Sequence, residues 1–331
     1  MRAMAVTVVA GTEGIRHIEP ARLHSWYAVC PSESLHPGQV IGWNLAGREF
    51  AIFRTRGGQV QALAAHCPHL GAHLARGTVI GEHLRCPLHH LRFDGRGVCR
   101  AAPEGSGIAA RPTQRAFPVV ERHGLVLVFN GPVVLFPPPQ VGAPELRWHA
   151  GTPVSVGCSW LPLVANAFDL EHQVTVHHRA LRGPPLIERP DPFTLRLRFT
   201  SRVTGRALHD RMMKALSRDH IQVTLTLHGG TLLSVESDLG RTRSALLAGL
   251  HPDPGGMSVL PSFAAPPSAV PGLTRPRLAL SRWLFTSFLR GDLSVLQGMR
   301  FRPAAAREDP VLASLLDFTA QLPEDPDDAP A

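Results

Sequence analysis

Between residues 26 and 130 the chain alternates short apolar runs with turn residues, the runs falling at 26–30, 49–55, 60–64, 84–86, 117–121 and 125–130. Runs of this length bounded by turn residues suit strands and are too short for helices. Arg56-Gly57-Gly58 and Asp94-Gly95-Arg96-Gly97 supply hairpin-turn chemistry between them. The pattern predicts a small all-β domain over residues 20–135. Phe136-Pro137-Pro138-Pro139 closes it, because consecutive prolines fix φ and remove the backbone donors that a sheet or helix would use.

Beyond that boundary the periodicity changes. Residues 153–158 predict a strand, 163–178 a helix, 194–200, 222–227 and 232–236 alternating strands, and 277–300 a late helix. An antiparallel sheet with few helices puts residues 140–323 in a second domain and the whole chain in the α+β class. Residues 324–331, acidic and proline-containing, read as a frayed tail.

Composition narrows the function classes. With 331 residues, 44% hydrophobic, and 18% charged, the chain has enough apolar material for a large core, which excludes disorder as its main state. Apolar runs such as 126–129 and 245–250 fall far short of the roughly 18 residues a membrane-spanning helix needs. Residues 1–14 carry no long apolar region with a cleavage site behind it, so a cytoplasmic protein is expected. The net charge of +8 does not point to nucleic acid, because the basic residues are scattered and lack an aromatic-interleaved stripe. Lys214 is the only lysine, and the abundance of Arg, Ala, Gly and Pro matches a GC-rich coding bias. A basic surface still suits an acidic redox partner or an anionic substrate. Five cysteines, unevenly spaced, do not make a disulfide framework, and Cys30, Cys99 and Cys158 read as small buried hydrophobes.

The other two cysteines sit in a mixed motif. Cys67-Pro68-His69 is followed, after sixteen intervening residues, by Cys86-Pro87-Leu88-His89. Each arm offers one thiolate and one imidazole, so two thiolates can hold one iron of a [2Fe-2S] cluster and two imidazoles the other. A structural zinc site is open to the same four residues, although zinc modules usually pair like with like on each arm.

In the second half, Asn166, Asp169, His172 and His177 fit N-x-x-D-x-x-H-x4-H. Two histidines and a carboxylate on one face of an iron leave positions open for O2. On an ideal helix, at about 100° per residue, Asp169 and His172 share a side while His172 and His177 lie about 140° apart. Either the helix unwinds there or His177 lies at its end, and Pro184 and Pro185 require a stop soon after. Taken alone, the segment also fits a surface helix with scattered histidines. In the late helix Phe285, Phe288, Val295 and Met299 recur at heptad-like steps with Asp292 among them. A carboxylate on a buried stripe is costly unless it is paired or holds a metal, the alternative being a solvated aspartate after Gly291.

Residues 67–99 resemble the cluster-binding segment of the Rieske non-haem iron oxygenases, and the N-x-x-D-x-x-H-x4-H motif follows in the order and separation found in that family. At 331 residues the chain is similar to the single-subunit-type oxygenase components, the group of dicamba monooxygenase, vanillate demethylase and 3-ketosteroid 9α-hydroxylase. The resemblance implies an N-terminal all-β Rieske domain followed by a helix-grip antiparallel-sheet catalytic domain. It implies that Cys67, His69, Cys86 and His89 hold the cluster and that His172, His177 and Asp292 hold a mononuclear Fe(II). It also implies a head-to-tail homotrimer in which Asp169 bridges His89 of one chain to His172 of the next, with Asn166 a polar residue near the iron. O2 is then a co-substrate. NAD(P)H is oxidised by a separate reductase or ferredoxin system, since the chain has no dinucleotide or flavin fingerprint. The extra cysteines of cytochrome-complex Rieske proteins are replaced by Ala72 and Leu88, and His90-Leu91 stands where the oxygenases often read Gly-Trp, so His90 is not taken as a ligand. The expected activity is hydroxylation, demethylation, desaturation or N-oxygenation of a small, largely apolar molecule. A redox carrier or regulatory protein that keeps the cluster without turnover is the alternative.

Overall fold

The computed structural model describes residues 18–103, 112–131, 133–217, 220–268, 270 and 273–324. The predicted tail therefore lies outside the described residues except for Glu324, which pairs with Leu23 in an isolated bridge, and residues 1–14 lie outside them as well. The α+β class holds, with small antiparallel sheets first and a large antiparallel sheet gripping helices second.

The N-terminal half contains three small sheets. Ser25–Pro31, Leu125–Asn130 and Val119–Arg122 form one; Val40–Leu45, Arg48–Arg54, Val60–Ala64 and Ala116–Phe117 form the second. Thr78–Ile80, His83–Arg85, Arg92–Phe93 and Cys99–Ala101 form the third, which carries the cysteine loops. Leu125–Asn130 is buried at every position because it serves two cores. Val126 and Val128 face the core of the second sheet, while Leu125, Leu127 and Phe129 join a cluster with Leu232, Ala245 and Leu247 of the large sheet.

The large sheet runs in the order Arg147–Ala150, Gly256–Ala265, Arg243–Asp253, Leu232–Asp238, Ile221–His228, Thr194–Val203, Arg179–Asp191, with Val154–Val156 also paired to Gly256–Ala265. Its two faces are sorted by the period of two: Ala245 and Leu247 face the N-terminal half, and Leu246, Ala248 and Leu250 line a cavity on the other side. Pro184 and Pro185 sit in Arg179–Asp191, an edge strand whose register breaks between Arg182 and Leu186, so their missing donors cost no ladder bonds.

The predicted helix over 163–178 is instead two helices, α1 (Trp160–Phe168) and α2 (Leu170–Thr175). Asp169 sits between them in extended backbone and accepts from the N–H groups of Glu171 and His172, capping α2. After α3 (Leu208–Leu216), the long helix α4 (Thr274–Leu296) packs against Gly256–Ala265 and α1. It ends before the predicted residue 300, and the expected apolar stripe is only partly buried: Val295 and Met299 are exposed, while Leu284 and Leu296 face inward. The heptad reading fails there because α4 rests on a cavity wall and a chain turn, with no single long partner to bury a continuous stripe.

Candidate metal centres

The two cysteine loops are built alike. In each, the cysteine N–H donates to the carbonyl five residues on, Cys67 to Ala72 and Cys86 to Leu91. The fifth residue of each loop takes positive φ, Gly71 at 76° and His90 at 57°. His90 is thus the turn residue of its loop. Cys67 and Cys86 are buried, whereas His69 and His89 are half-buried with ring centroids 4.7 Å apart. The His69 Nδ1 is buried without a hydrogen-bond partner, the state of a nitrogen kept for a metal. Burial pushes the Cys67 thiol up to about 11, with the main-chain N–H of His69 opposing it. Only a nearby cation makes that pair of sulfurs anionic, and cluster assembly releases the protons. The donor set fits a [2Fe-2S] cluster, with thiolates inward and imidazoles outward. Cys99 and Cys158 are buried as expected, and Cys30 is half-buried.

The second centre lies where α2, its exit and α4 meet. Ligand atoms of His172, His177 and Asp292 all lie within 4.8 Å of one another. The two imidazole Nε2 atoms each stand 2.8 Å from Asp292 Oδ1. The break at Asp169 and the end of α2 at Val176 solve the angular problem of the ideal helix, since His177 lies past the cap and its ring turns back to within 4.5 Å of the His172 ring. His172 Nδ1 donates to the Asn166 carbonyl at 3.0 Å. A carbonyl can only accept, so a neutral His172 presents a lone pair at Nε2 toward the Asp292 carboxylate. That facing is repulsive until a cation lies between, and so the residues fit a metal.

Two expectations change in detail. Asp169 touches His172 through the backbone N–H, at 3.1 Å, while the His172 ring nitrogens are taken by the Asn166 carbonyl and Asp292, so the expected Asp169–His172 ring bridge is not formed within the chain. Asn166 acts on the site through its main-chain oxygen. The sequence pattern placed Phe288, whose ring lies 4.6 Å from that of His177, only in an apolar stripe, and did not single out Arg179, whose guanidinium lies 4.7 Å above Phe288.

These ligands open on a cavity of about 570 Å³ whose walls are largely apolar, among them Leu163, Phe199, Val223, Leu246 and Phe285. No helix among the described residues is long and apolar enough to cross a membrane.

Comparison with known proteins bears on the N-terminal domain and on the fold. Residues 25–112 match the Rieske [2Fe-2S] domain family. The chain is 37% identical over 163 residues to the oxygenase component of dicamba O-demethylase from Stenotrophomonas maltophilia, covering 46% of this chain and 47% of that one. It is 27% identical over 180 residues to the oxygenase component of 3-ketosteroid-9-alpha-monooxygenase from Mycolicibacterium smegmatis, covering 50% of this chain and 47% of that one. The chain thus spans about half the length of the curated relatives it matches. The fold is that of dicamba monooxygenase bound to dicamba, with a TM-score of 0.68, 22% identity, and coverage of 91% of this chain and 98% of that one. Another structure of dicamba monooxygenase holds non-haem iron and dicamba. The chain carries a Rieske [2Fe-2S] domain and is similar, over about half its length, to the oxygenase components of dicamba O-demethylase and 3-ketosteroid-9-alpha-monooxygenase.

Proposed function

We propose that the protein is the terminal oxygenase component of a Rieske non-haem iron oxygenase system, oxidising a small, largely apolar organic molecule by hydroxylation, demethylation, desaturation or N-oxygenation. The observation that carries this reading is the convergence of His172, His177 and Asp292 on the wall of an apolar cavity, where a structural ion would have no reason to face a substrate-sized space. When bound there, mononuclear Fe(II) supplies O2 activation with electrons delivered by the cluster. Asn166 fixes the His172 ring through its carbonyl, and the apolar walls exclude water from the reacting centre. Cys67 and Cys86 bury one side of the cluster site, while His69 and His89 give it an outward edge through which electrons enter or leave.

The source of electrons is a separate reductase or ferredoxin that oxidises NAD(P)H, a division of labour supported by the relatives' description as oxygenase components. The assembly is a head-to-tail homotrimer in which the outward histidine edge of one copy meets the α2 region of the next. The α2 cap uses Asp169 Oδ1, so Oδ2 is the oxygen assigned to that contact. The compartment is the cytoplasm, in keeping with five cysteines that form no disulfide.

The test is metal analysis and turnover together. About three irons per chain are expected, two in the cluster and one mononuclear. Replacing Cys86 by Ser abolishes the visible chromophore and the EPR signal of the reduced cluster. With a surrogate reductase, O2 uptake should depend on an added organic substrate. Stoichiometric zinc would sink the cluster assignment, and an intact cluster with no substrate-dependent O2 uptake across a broad screen would favour a redox carrier.

A further inference from the structure

Arg179 is buried to 3% of its side-chain surface beside the mononuclear site, and its Nη1 donates to Asp210 Oδ1 at 3.1 Å. Asp210 is itself fully buried and also accepts from the Ala207 N–H, so its charge is well satisfied. The guanidinium is not: Nη2 is buried without any hydrogen-bond partner. Leaving such a donor unmade is costly, the more so when it is charged, and a ligand that accepts from it removes that cost. Its place supports that reading. Arg179 lines the cavity, its guanidinium stacks on Phe288, and Phe288 in turn contacts the His177 ring, so the unpaired donor lies one aromatic ring from a metal ligand.

The charge around the cavity selects the kind of acceptor. The other arginines lining it, Arg241, Arg243 and Arg277, are exposed and give its rim a positive field. Among the described residues the only carboxylate in the lining is Asp292, which faces His172 and His177. The wall offers an incoming molecule apolar surface and the unpaired Nη2 of Arg179, while at the rim Arg243 is paired with Asp238 and Arg241 and Arg277 bond main-chain carbonyls, leaving the charge of those two without a carboxylate partner at hydrogen-bond distance among the described contacts. A guanidinium edge in a low-dielectric pocket binds a carboxylate more strongly than a neutral carbonyl, because both partners are charged and the donors are held in place.

We propose that the cavity takes an organic acid, with Arg179 Nη2 donating to the carboxylate and the apolar body occupying the space before the His172–His177–Asp292 centre. Arg179 is then a specificity residue that touches substrate. The inference rests on the cavity being the substrate site of the proposed oxygenase.

The experiment is equilibrium dialysis of the purified, as-isolated protein under anaerobic conditions at fixed ionic strength. The probes are benzoate, 2-naphthoate and 3-phenylpropionate, each beside its own carboxamide. At least one acid should bind tenfold or more tightly than its amide. Arg179→Lys, whose ammonium is drawn to Asp210, should bring that acid to the level of its amide, the lost tenfold ratio corresponding to about 1.4 kcal/mol. The paired variant Arg179→Met with Asp210→Asn leaves no unpaired buried charge and should do the same, with folding checked by the circular dichroism melt. No acid exceeding its amide in the wild type, or an acid preference that survives both variants, overturns the proposal. Binding is read without O2 or electrons. Absence of mononuclear iron would therefore overturn the oxygenase reading while leaving acid preference measurable, and loss of acid preference would leave turnover of a neutral substrate intact.

Discussion

His172 is held at Nδ1 by the Asn166 carbonyl, which turns its Nε2 toward the Asp292 carboxylate. Asp292 faces two imidazoles at one oxygen, so the three side chains converge on the position a cation would occupy. Removing the carboxylate leaves two close imidazoles with no anion to balance a divalent cation. Asp292→Ala should therefore lose most of the mononuclear iron, and more than a hundredfold in turnover, while the cluster spectrum stays as in the wild type. Metal analysis beside the visible spectrum decides it, and full iron with full activity in the variant would place the third ligand elsewhere. At this scale the chemistry was legible wherever it depends on residue type. Mixed Cys/His arms and a charge within an apolar pattern are visible in a string of letters. Asn166 acts through a backbone carbonyl that any residue possesses, and Arg179 matters through an unpaired nitrogen, so neither role has a signature in the sequence.

The break between α1 and α2 turns a motif that an ideal helix would splay into a metal site. Asp169 makes that break productive, because its Oδ1 takes two orphan N–H groups at the start of α2, at 2.9 and 3.1 Å. Asp169→Ala should lower stability by about 1 kcal/mol, whereas Asn caps nearly as well as Asp. Asp169→Asn should accordingly keep the melting temperature and both metal centres. If Oδ2 also serves the contact between copies, that variant alone slows electron transfer from the cluster in single-turnover stopped-flow, since an amide accepts on only one head. Unchanged transfer in Asp169→Asn would confine the residue to capping. Elements with plain alternation, such as Thr194–Val203 and Ile221–His228, were readable from the pattern. Arg243–Asp253 was not, because it is apolar on both faces, with Leu247 toward one core and Leu246 and Leu250 toward the cavity. Arg179–Asp191 was hidden by its prolines, and Gly256–Ala265 by Pro261, which falls between the stretches paired to Val154–Val156 and Arg147–Ala150.

The two halves share a core, and one glycine sets how closely they approach. A Cβ at Gly249 would stand 2.2 Å from the Ala28 Cβ and 3.4 Å from its Cα, so the large sheet and the strand Ser25–Pro31 meet backbone against side chain. Gly249→Val should cost about 1–3 kcal/mol, read as a lowered denaturation midpoint, with the cluster loops unaffected because they lie on a different sheet. The outer surface suggests a further level of organisation. Leu70 and Leu88 are 66% and 54% exposed beside His69 and His89, and Val174 is 45% exposed on α2 beside His172. Apolar side chains left in water next to both metal sites are what a contact between copies would cover, with the cluster tip of one seated near the α2 region of the next. Leu88→Asp puts a charge into that contact and changes nothing buried in the isolated chain. The variant should keep its cluster spectrum and its mononuclear iron and, if the proposed trimer forms, shift toward monomer in sedimentation velocity and pass electrons from cluster to iron at least tenfold more slowly. A trimer with wild-type transfer in Leu88→Asp would remove Leu88 from the contact. A wild-type protein that sediments as a monomer at full turnover would require the electrons to cross within one chain, and Asp169 would then keep only its capping role.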